Sequence, residues 1–340
     1  MAVTVKEVAQ KAGVSFQLVA AVLGNKSYAH ASKATREKIL ETARILGYIP
    51  NASAKILRGD SSRIIGVLID SRAPESMYNI LAETERIADA HNYRILTAQA
   101  HDNPEKLLES YRFLKQHGVD GILSLSHDYS QIGFHLDQML TEDSKIIYIL
   151  NASPENTSAV DVDFNIGMEQ ACMHLRENSY QKTALLFSGG QDPAQYPVSC
   201  RKRMEGFKRY FPEGEILYLT ESIANLPSLE KQCRELVREV LLPGKFDSVI
   251  ALTDILGVTL MNQLMKEGIR VPEDFGVVGC DNLPVGECHI VKLTTLCYDR
   301  KEIARAALES LLERIGGNTV PCRKEFPVQL QIRESTVRKK

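Results

Sequence analysis

TVKEVAQKAGVSFQLVAAVL, residues 4–23, reads as a helix, a tight turn and a second helix. Thr4 followed by Glu7 has the spacing of a capping box, in which the hydroxyl takes an orphan backbone N–H and the carboxylate reaches back. Val5, Val8, Ala9 and Ala12 then recur at helical spacing and define one apolar face. Gly13 supplies the positive φ that ends the helix, and Val14 plugs the turn. Ser15 is an N-cap for a second helix with Leu18, Val19 and Val22 on its buried side. Phe16, Gln17, Ala20 and Ala21 are left on or near the outer side. Two helices this short bury too little alone, so a third is required. Ser32 caps it, Gly47 closes it, and Ala34, Ile39, Ala43 and Leu46 are expected to face the first two.

Charge separates this head from the rest. Residues 1–60 hold nine Lys/Arg against four Asp/Glu, a net +5, while the remaining 280 hold 32 against 39, a net −7. A small basic head on an acidic body suits an anionic partner for the head alone. The 340 residues are 44% hydrophobic and 25% charged, the composition of a globular chain with room for two or three domains. No run of 18 apolar residues and no apolar leader is found, so neither a membrane span nor export is expected. Seven scattered cysteines without a CxxC pair point to free thiols in a reducing cytoplasm, not to a disulfide frame or a zinc site.

From Arg63 onward, short apolar runs alternate with amphipathic helices. IIGVLI (64–69), YRILTA (93–98), GVDGILSLS (118–126) and IIYIL (146–150) form one series of strands. AVDVDF, from residue 159, opens a second series, with TALLFSG (183–189), EILYLT (215–220), FDSVIAL (246–252) and FGVVGCD (275–281). The alternation implies parallel sheets covered by helices, arranged as two lobes. Small ligands bind such sheets in the crevice at the carboxyl ends of the strands, where Asp70, Ser124, Asn151, Asp254 and Asp281 fall. After a helix over 301–315, FPVQLQIRES (326–335) reads as one last strand, with no heptad repeat beyond it.

Taken together these blocks resemble the lactose-repressor/galactose-repressor (LacI/GalR) family of bacterial transcription regulators. The head, ATREKILETARILGYIPN, SRIIGVLI, GVDGIL, RKRMEGF, VVGCDN, KLTTL and LQIREST stand in that family's order and spacing. The resemblance implies a helix-turn-helix DNA-binding domain over 1–48, a hinge helix or linker over 49–60, and a periplasmic-binding-protein-like effector and dimerisation domain over 61–340. Its first lobe would be about 61–158 with 292–320, and its second about 159–291 with 321–340. Phe16, Gln17 and Ala21 match the base-reading positions, and Thr4, Ser15, Asn25 and Thr35 are further DNA-contact candidates. Gln17 can bond an adenine edge, while Phe16 and Ala21 can pack on thymine methyls. Ala21 stands where many relatives carry a basic residue, and Leu18 and Ala20 where hydroxyls are usual. Asn51, Ala54 and Leu57 match the hinge, with Leu57 as the wedge that enters the minor groove.

For the body, the resemblance assigns effector contacts to Arg203 and Asp281, with Asp70, Ser71, Ser124, Asn151, Thr253 and Asp254 around them. Arg203 offers a fork of donors and Asp281 offers acceptors for ligand hydroxyls. Tyr78 or Tyr196 can stack on a ligand face. The implied function is a ligand-responsive, sequence-specific transcriptional repressor, cytoplasmic and nucleoid-associated, acting as a homodimer on a near-palindromic operator. Its effector would be a sugar or related small polar metabolite, and the residues are compatible with inducer or corepressor. Two alternatives remain at this level: a solute-binding or sensor protein without a DNA role, and a corepressor-dependent regulator of nucleobase type. No cofactor is expected and no enzyme: the chain has no phosphate-cradling glycine loop, metal-ligand cluster or recognisable triad.

Overall fold

A computed structural model describes residues 3–24, 30–49, 61–70, 73–99, 104–125, 143–150, 157–190, 198–221 and 223–338. Asn25, Asn51, Ala54, Leu57, Ser71, Asn151 and Tyr196, together with the expected hinge helix, lie outside the described residues. The chain divides into two compact units, residues 1–62 and 63–340.

The first unit contains helices α1 (Val5–Ala12), α2 (Phe16–Leu23) and α3 (Lys33–Leu46). Local side chains set every described boundary. Glu7 Oε2 accepts from the Thr4 amide at 2.7 Å, while Thr4 Oγ1 accepts from the Glu7 amide at 3.3 Å, completing the capping box. Ser15 and Ser32 cap α2 and α3 through the amides of Leu18 (3.2 Å) and Thr35 (3.1 Å). Gly13 and Gly47 end α1 and α3 with φ 67° each, left-handed values that glycine adopts without a Cβ penalty. Val8, Ala9, Ala12, Val19, Ala21, Val22, Ile39 and Ala43 form the core. Two expectations fail here. Ala34 is exposed, because Ile39 and Ala43 set the buried face and five residues carry Ala34 about 140° around the helix from Ile39. Ala21 is buried in the core instead of facing outward; its side chain is one methyl, which its neighbours cover.

The second unit contains two six-stranded sheets. The first runs β11-β5-β4-β3-β1-β2, and all its pairings are parallel. Its strands are β1 (Ile64–Ile69), β2 (Arg94–Gln99), β3 (Gly121–Leu125), β4 (Ile146–Ile149), β5 (Ser158–Asp163) and β11 (Arg323–Pro327). The second runs β12-β10-β9-β8-β6-β7, with β12 antiparallel to β10. It comprises β6 (Thr183–Ser188), β7 (Glu215–Leu219), β8 (Ser248–Ala251), β9 (Gly276–Cys280), β10 (Thr294–Cys297) and β12 (Gln329–Gln331). The helices between them are α4 (Glu75–Ala90), α5 (Pro104–Gln116), α6 (Phe164–Glu177), α7 (Val198–Tyr210), α8 (Leu226–Leu236), α9 (Asp254–Lys266), α10 (Pro284–Cys288) and α11 (Arg300–Ile315). Strands such as β3, β4 and β9 are buried at every position, as a doubly covered parallel sheet requires. Among the described residues, no helix is long and apolar enough to cross a membrane.

The strands depart from the expected lobe boundaries at three places. Residues 158–163 pair with β4 and belong to the first sheet, not the second. Residues 294–297 pair with β9 and belong to the second sheet, not the first. The final segment is two strands, not one. Pro327 has no N–H to extend the ladder, and after the single residue Val328, buried at 0% exposure, the chain continues in the other sheet. One core cluster takes residues from both sheets, among them Ile65, Val160, Phe187 and Cys280.

Candidate functional site

On the head, the outer side of α2 is narrower than expected. Phe16 is 55% exposed and Gln17 is exposed, so both project from the helix start. Ala21, buried, presents nothing to a base edge. Thr4 and Ser15 are exposed, and each is engaged as a helix cap. Thr35 is half-buried, with its hydroxyl 2.8 Å from that of Ser32. A polar amide and an aromatic ring one residue apart, at the N-terminus of a helix in a basic head, suit a major-groove reader.

In the body, Arg203 on α7 and Asp281 after β9 come into one cluster. The Arg203 guanidinium lies 4.4 Å over the ring of Phe164, the first residue of α6. Its Nη1 is 3.7 Å from Cys280 Sγ and its Nη2 is 3.5 Å from Cys200 Sγ. Burial disfavours the charge on Arg203, but the surrounding Cys200, Cys280 and Asp281 groups more than offset it and raise its pKa. Burial raises the Asp281 carboxyl, with Arg203 opposing. Tyr298, after β10, donates its hydroxyl to Asp281 Oδ1 at 3.3 Å. Burial and the Asp281 charge push that phenol well above its ordinary value.

The backbone that presents Asp281 is itself held under strain. Asp281 and Asn282 have φ of 99° and 51°, in the left-handed region that L-residues seldom occupy. Two arginines hold the turn. Arg300 donates to the carbonyls of Asp281 and Asn282, and Arg333 Nη2 donates to Asn282 Oδ1 at 2.6 Å. The Asp281 amide donates to the Leu296 carbonyl at 2.9 Å, anchoring the turn to β10. Nothing in the motif VVGCDN announced Tyr298, Phe164 or Arg300. Each is far from Asp281 in sequence, and only the strand order brings them together.

The other candidates separate. Asp70 is fully buried at the end of β1, and its carbonyl accepts from the Ala73 amide and from the Tyr78 hydroxyl at 3.3 Å. Tyr78 is 36% exposed. Ser124 is buried in β3, level with Leu68 and Tyr148. Thr253 serves as the N-cap of α9, its Oγ1 accepting from the Leu256 amide at 3.3 Å. Asp254 does not face a ligand site: its exposure is 0%, Oδ2 accepts from the Leu283 amide and Oδ1 from Thr295 Oγ1, each at 2.5 Å. It ties the start of α9 to the turn after β9 and to β10. Its position at a strand end suggested a ligand contact, but both oxygens are taken by the protein interior. Burial pushes this carboxyl up to about 7, against its two hydrogen bonds. Among the described residues, no group of three His, Cys, Asp or Glu side chains is placed to hold a metal ion.

Residues 4–51 match the family described as bacterial regulatory proteins, lacI family. Residues 172–336 match the periplasmic binding protein-like domain. Over 317 residues, 92% of each chain, the sequence is 29% identical to the HTH-type transcriptional repressor PurR of Vibrio atlanticus (strain LGP32). Among solved structures, a lac repressor dimer bound to operator and the anti-inducer ONPF superposes with a TM-score of 0.83 at 24% identity, over 99% of this chain and 100% of that one. The transcriptional regulator CelR in complex with cellobiose matches with a TM-score of 0.67 at 26% identity, over 98% and 99% of the two chains. A LacI family transcriptional regulator from Enterococcus faecium with bound ribose gives 0.66 at 26%, over 82% and 100%.

Proposed function

The chain belongs to the lacI family of bacterial regulatory proteins, and we propose that it is a cytoplasmic, homodimeric repressor whose operator affinity is set by a sugar-class ligand held at Arg203 and Asp281. The observation that carries this reading is the cluster itself. A guanidinium stacked on Phe164 and a carboxylate presented on a strained, doubly clamped turn stand together at the carboxyl ends of the strands. A polyhydroxy ligand needs both kinds of group, donors from Arg203 and acceptors from Asp281, plus an apolar ring face. The relatives that hold cellobiose and ribose favour the same class.

The head supplies the other half. Phe16 and Gln17 read bases in the major groove, and the basic residues of the head contact phosphates, so binding weakens steeply with salt. Residues 51–58 act as the hinge, with Leu57 as the minor-groove wedge. A two-fold dimer then reads a near-palindromic site. The ligand acts by population shift: it changes operator affinity only as far as it binds one lobe arrangement more tightly than the other.

The test is a melting-temperature screen of the full chain against sugars, sugar phosphates, polyols and nucleobases, with Arg203→Ala and Asp281→Asn in parallel. Asparagine is the replacement of choice at position 281 because it tolerates positive φ. A ligand at 100 times its Kd adds about 2.7 kcal/mol to stability. The expected result is a sugar-class hit that both substitutions abolish and that changes operator affinity in fluorescence anisotropy. A hit that survives both substitutions refutes the assignment of the site, and a nucleobase hit lost in both refutes the ligand class.

A further inference from the structure

Tyr298 connects two parts of the body that belong to different sheets. It follows β10 of the second sheet and packs against the core that both sheets share. Its hydroxyl donates to Asp281 Oδ1 at 3.3 Å. The Ser76 hydroxyl lies within hydrogen-bond reach of the same phenol and is placed to donate to it. Ser76 is in the first turn of α4, 2% exposed, on a helix that packs against α11 and against β2 of the first sheet. A hydrogen-bonded chain therefore runs from Ser76 through the Tyr298 oxygen to the Asp281 carboxylate. Its Tyr298–Asp281 link is longer than the 2.5–3.0 Å usual for O–H···O bonds, so a small displacement of either side tightens or breaks it.

We propose that Tyr298 is a positioning residue that couples the Asp281 carboxylate to the N-terminal turn of α4, so that engagement of Asp281 is felt in the first lobe. The inference rests on the assignment of Asp281 to the ligand. The geometry also gives the hydroxyl a second duty. By taking Oδ1 it orients the carboxylate, and among the described residues no donor is hydrogen-bonded to Oδ2, which is left for a ligand hydroxyl. Arg203, Arg300 and Cys280 surround the same carboxylate. None of them is hydrogen-bonded to Ser76 among the described residues, so the route to α4 runs through the phenol. A tyrosine that merely filled space would need its ring and any convenient partner for the hydroxyl. A coupling residue needs that hydroxyl between those two partners.

Amide hydrogen exchange of the full-length protein separates the two roles, and it requires no ligand. Four proteins are compared: wild type, Asp281→Asn, Tyr298→Phe and the double variant. Asparagine keeps an acceptor at position 281 but removes the charge, and a hydrogen bond to a neutral acceptor is weaker than one to a carboxylate. Coupling predicts that Asp281→Asn speeds exchange of the amides of residues 77–82 by about fivefold. It also predicts that the same substitution adds nothing there once Tyr298 is phenylalanine. Ser76→Ala, which cuts the chain at its other end while leaving the ring in place, should abolish the effect equally. Unchanged exchange in α4 on Asp281→Asn, or the same acceleration in both backgrounds, overturns the proposal. Failure of the ligand screen at Asp281 leaves this coupling measurable, and failure of the coupling leaves the screen unaffected.

Discussion

Replacing Gly279 by alanine tests whether Asp254 is a buttress of the second sheet. A Cβ built on Gly279 falls 2.2 Å from Asp254 Oδ1 and 2.6 Å from Leu293 Cδ2. Neither atom yields cheaply. Leu293 is fully buried, and Asp254 Oδ1 is held by Thr295 Oγ1 at 2.5 Å while Oδ2 holds the Leu283 amide at 2.5 Å. Overpacking alone costs about 1–3 kcal/mol. Displacing a buried carboxylate from a hydrogen bond adds about 1.5–3 kcal/mol. A total near 4 kcal/mol corresponds to a fall in Tm of roughly 10 °C for a body of this size. Gly268→Ala is the control: φ is +80° there and nothing lies within 4 Å of the new Cβ. Only backbone strain remains at that site, about 1–2 kcal/mol. Differential scanning calorimetry of the full chain should rank Gly279→Ala well below Gly268→Ala. In a double-mutant cycle, Asp254→Ser should relieve part of the Gly279→Ala penalty, because it removes the oxygen that the methyl strikes. A Gly279→Ala protein that melts within about 2 °C of wild type, or strictly additive effects in the cycle, would refute the reasoning and return Asp254 to the ligand candidates.

Gln17→Ala should weaken operator binding by about 1–3 kcal/mol, roughly 5- to 150-fold in anisotropy titrations, and leave the melting temperature unchanged because the side chain is exposed. Thr253→Ala should cost about 0.5–2 kcal/mol of body stability through loss of the α9 cap, and ligand affinity should hold; an affinity loss without destabilisation would place Thr253 on the ligand instead. The Asp254 carboxyl, raised from 3.8 to about 7 in the folded chain, gives a pH test. A raised acid holds its proton more tightly when folded, so its contribution is complete below about pH 4 and is lost as pH rises through about 7. The slope is at most about 1.4 kcal/mol per pH unit. Relative to wild type, Asp254→Asn should therefore gain stability between pH 5 and pH 8 in urea denaturation, and a flat difference would contradict the raised value.

The head was legible because its determinants are local. Thr4 with Glu7, Ser15, Ser32, Gly13 and Gly47 act on backbone groups within four residues, so the pattern and the structure coincide. The arrangement of strands and helices in the body was legible for a similar reason, since buried parallel strands are short apolar runs bounded by polar ends. Sheet membership was not. Nothing in SAVDVD or LTTLC states which lobe it joins, because backbone pairing is indifferent to side-chain identity once a strand is buried on both faces. The two threonines of β10 also break its apolar run, and their hydroxyls are satisfied by Thr336 and Asp254, residues distant in sequence.

The same division runs through the site. Arg203 and Asp281 could be picked out from RKRMEGF and VVGCDN, but Asp254 looked just as suitable. A carboxylate at a strand end is ambiguous until its hydrogen-bond partners are known, and those of Asp254 come from positions 283 and 295. By itself the sequence determined the three-helix head, the two-lobed α/β body and the pair of residues most suited to a polar ligand, because each rests on periodicity, capping or a short motif. Tertiary structure alone decided that Ala21 is interior, that Asp254 is a buttress, and that Phe164, Arg300 and Tyr298 converge on Arg203 and Asp281. Those outcomes depend on which strands lie side by side, and strand order is set by the packing of the whole body.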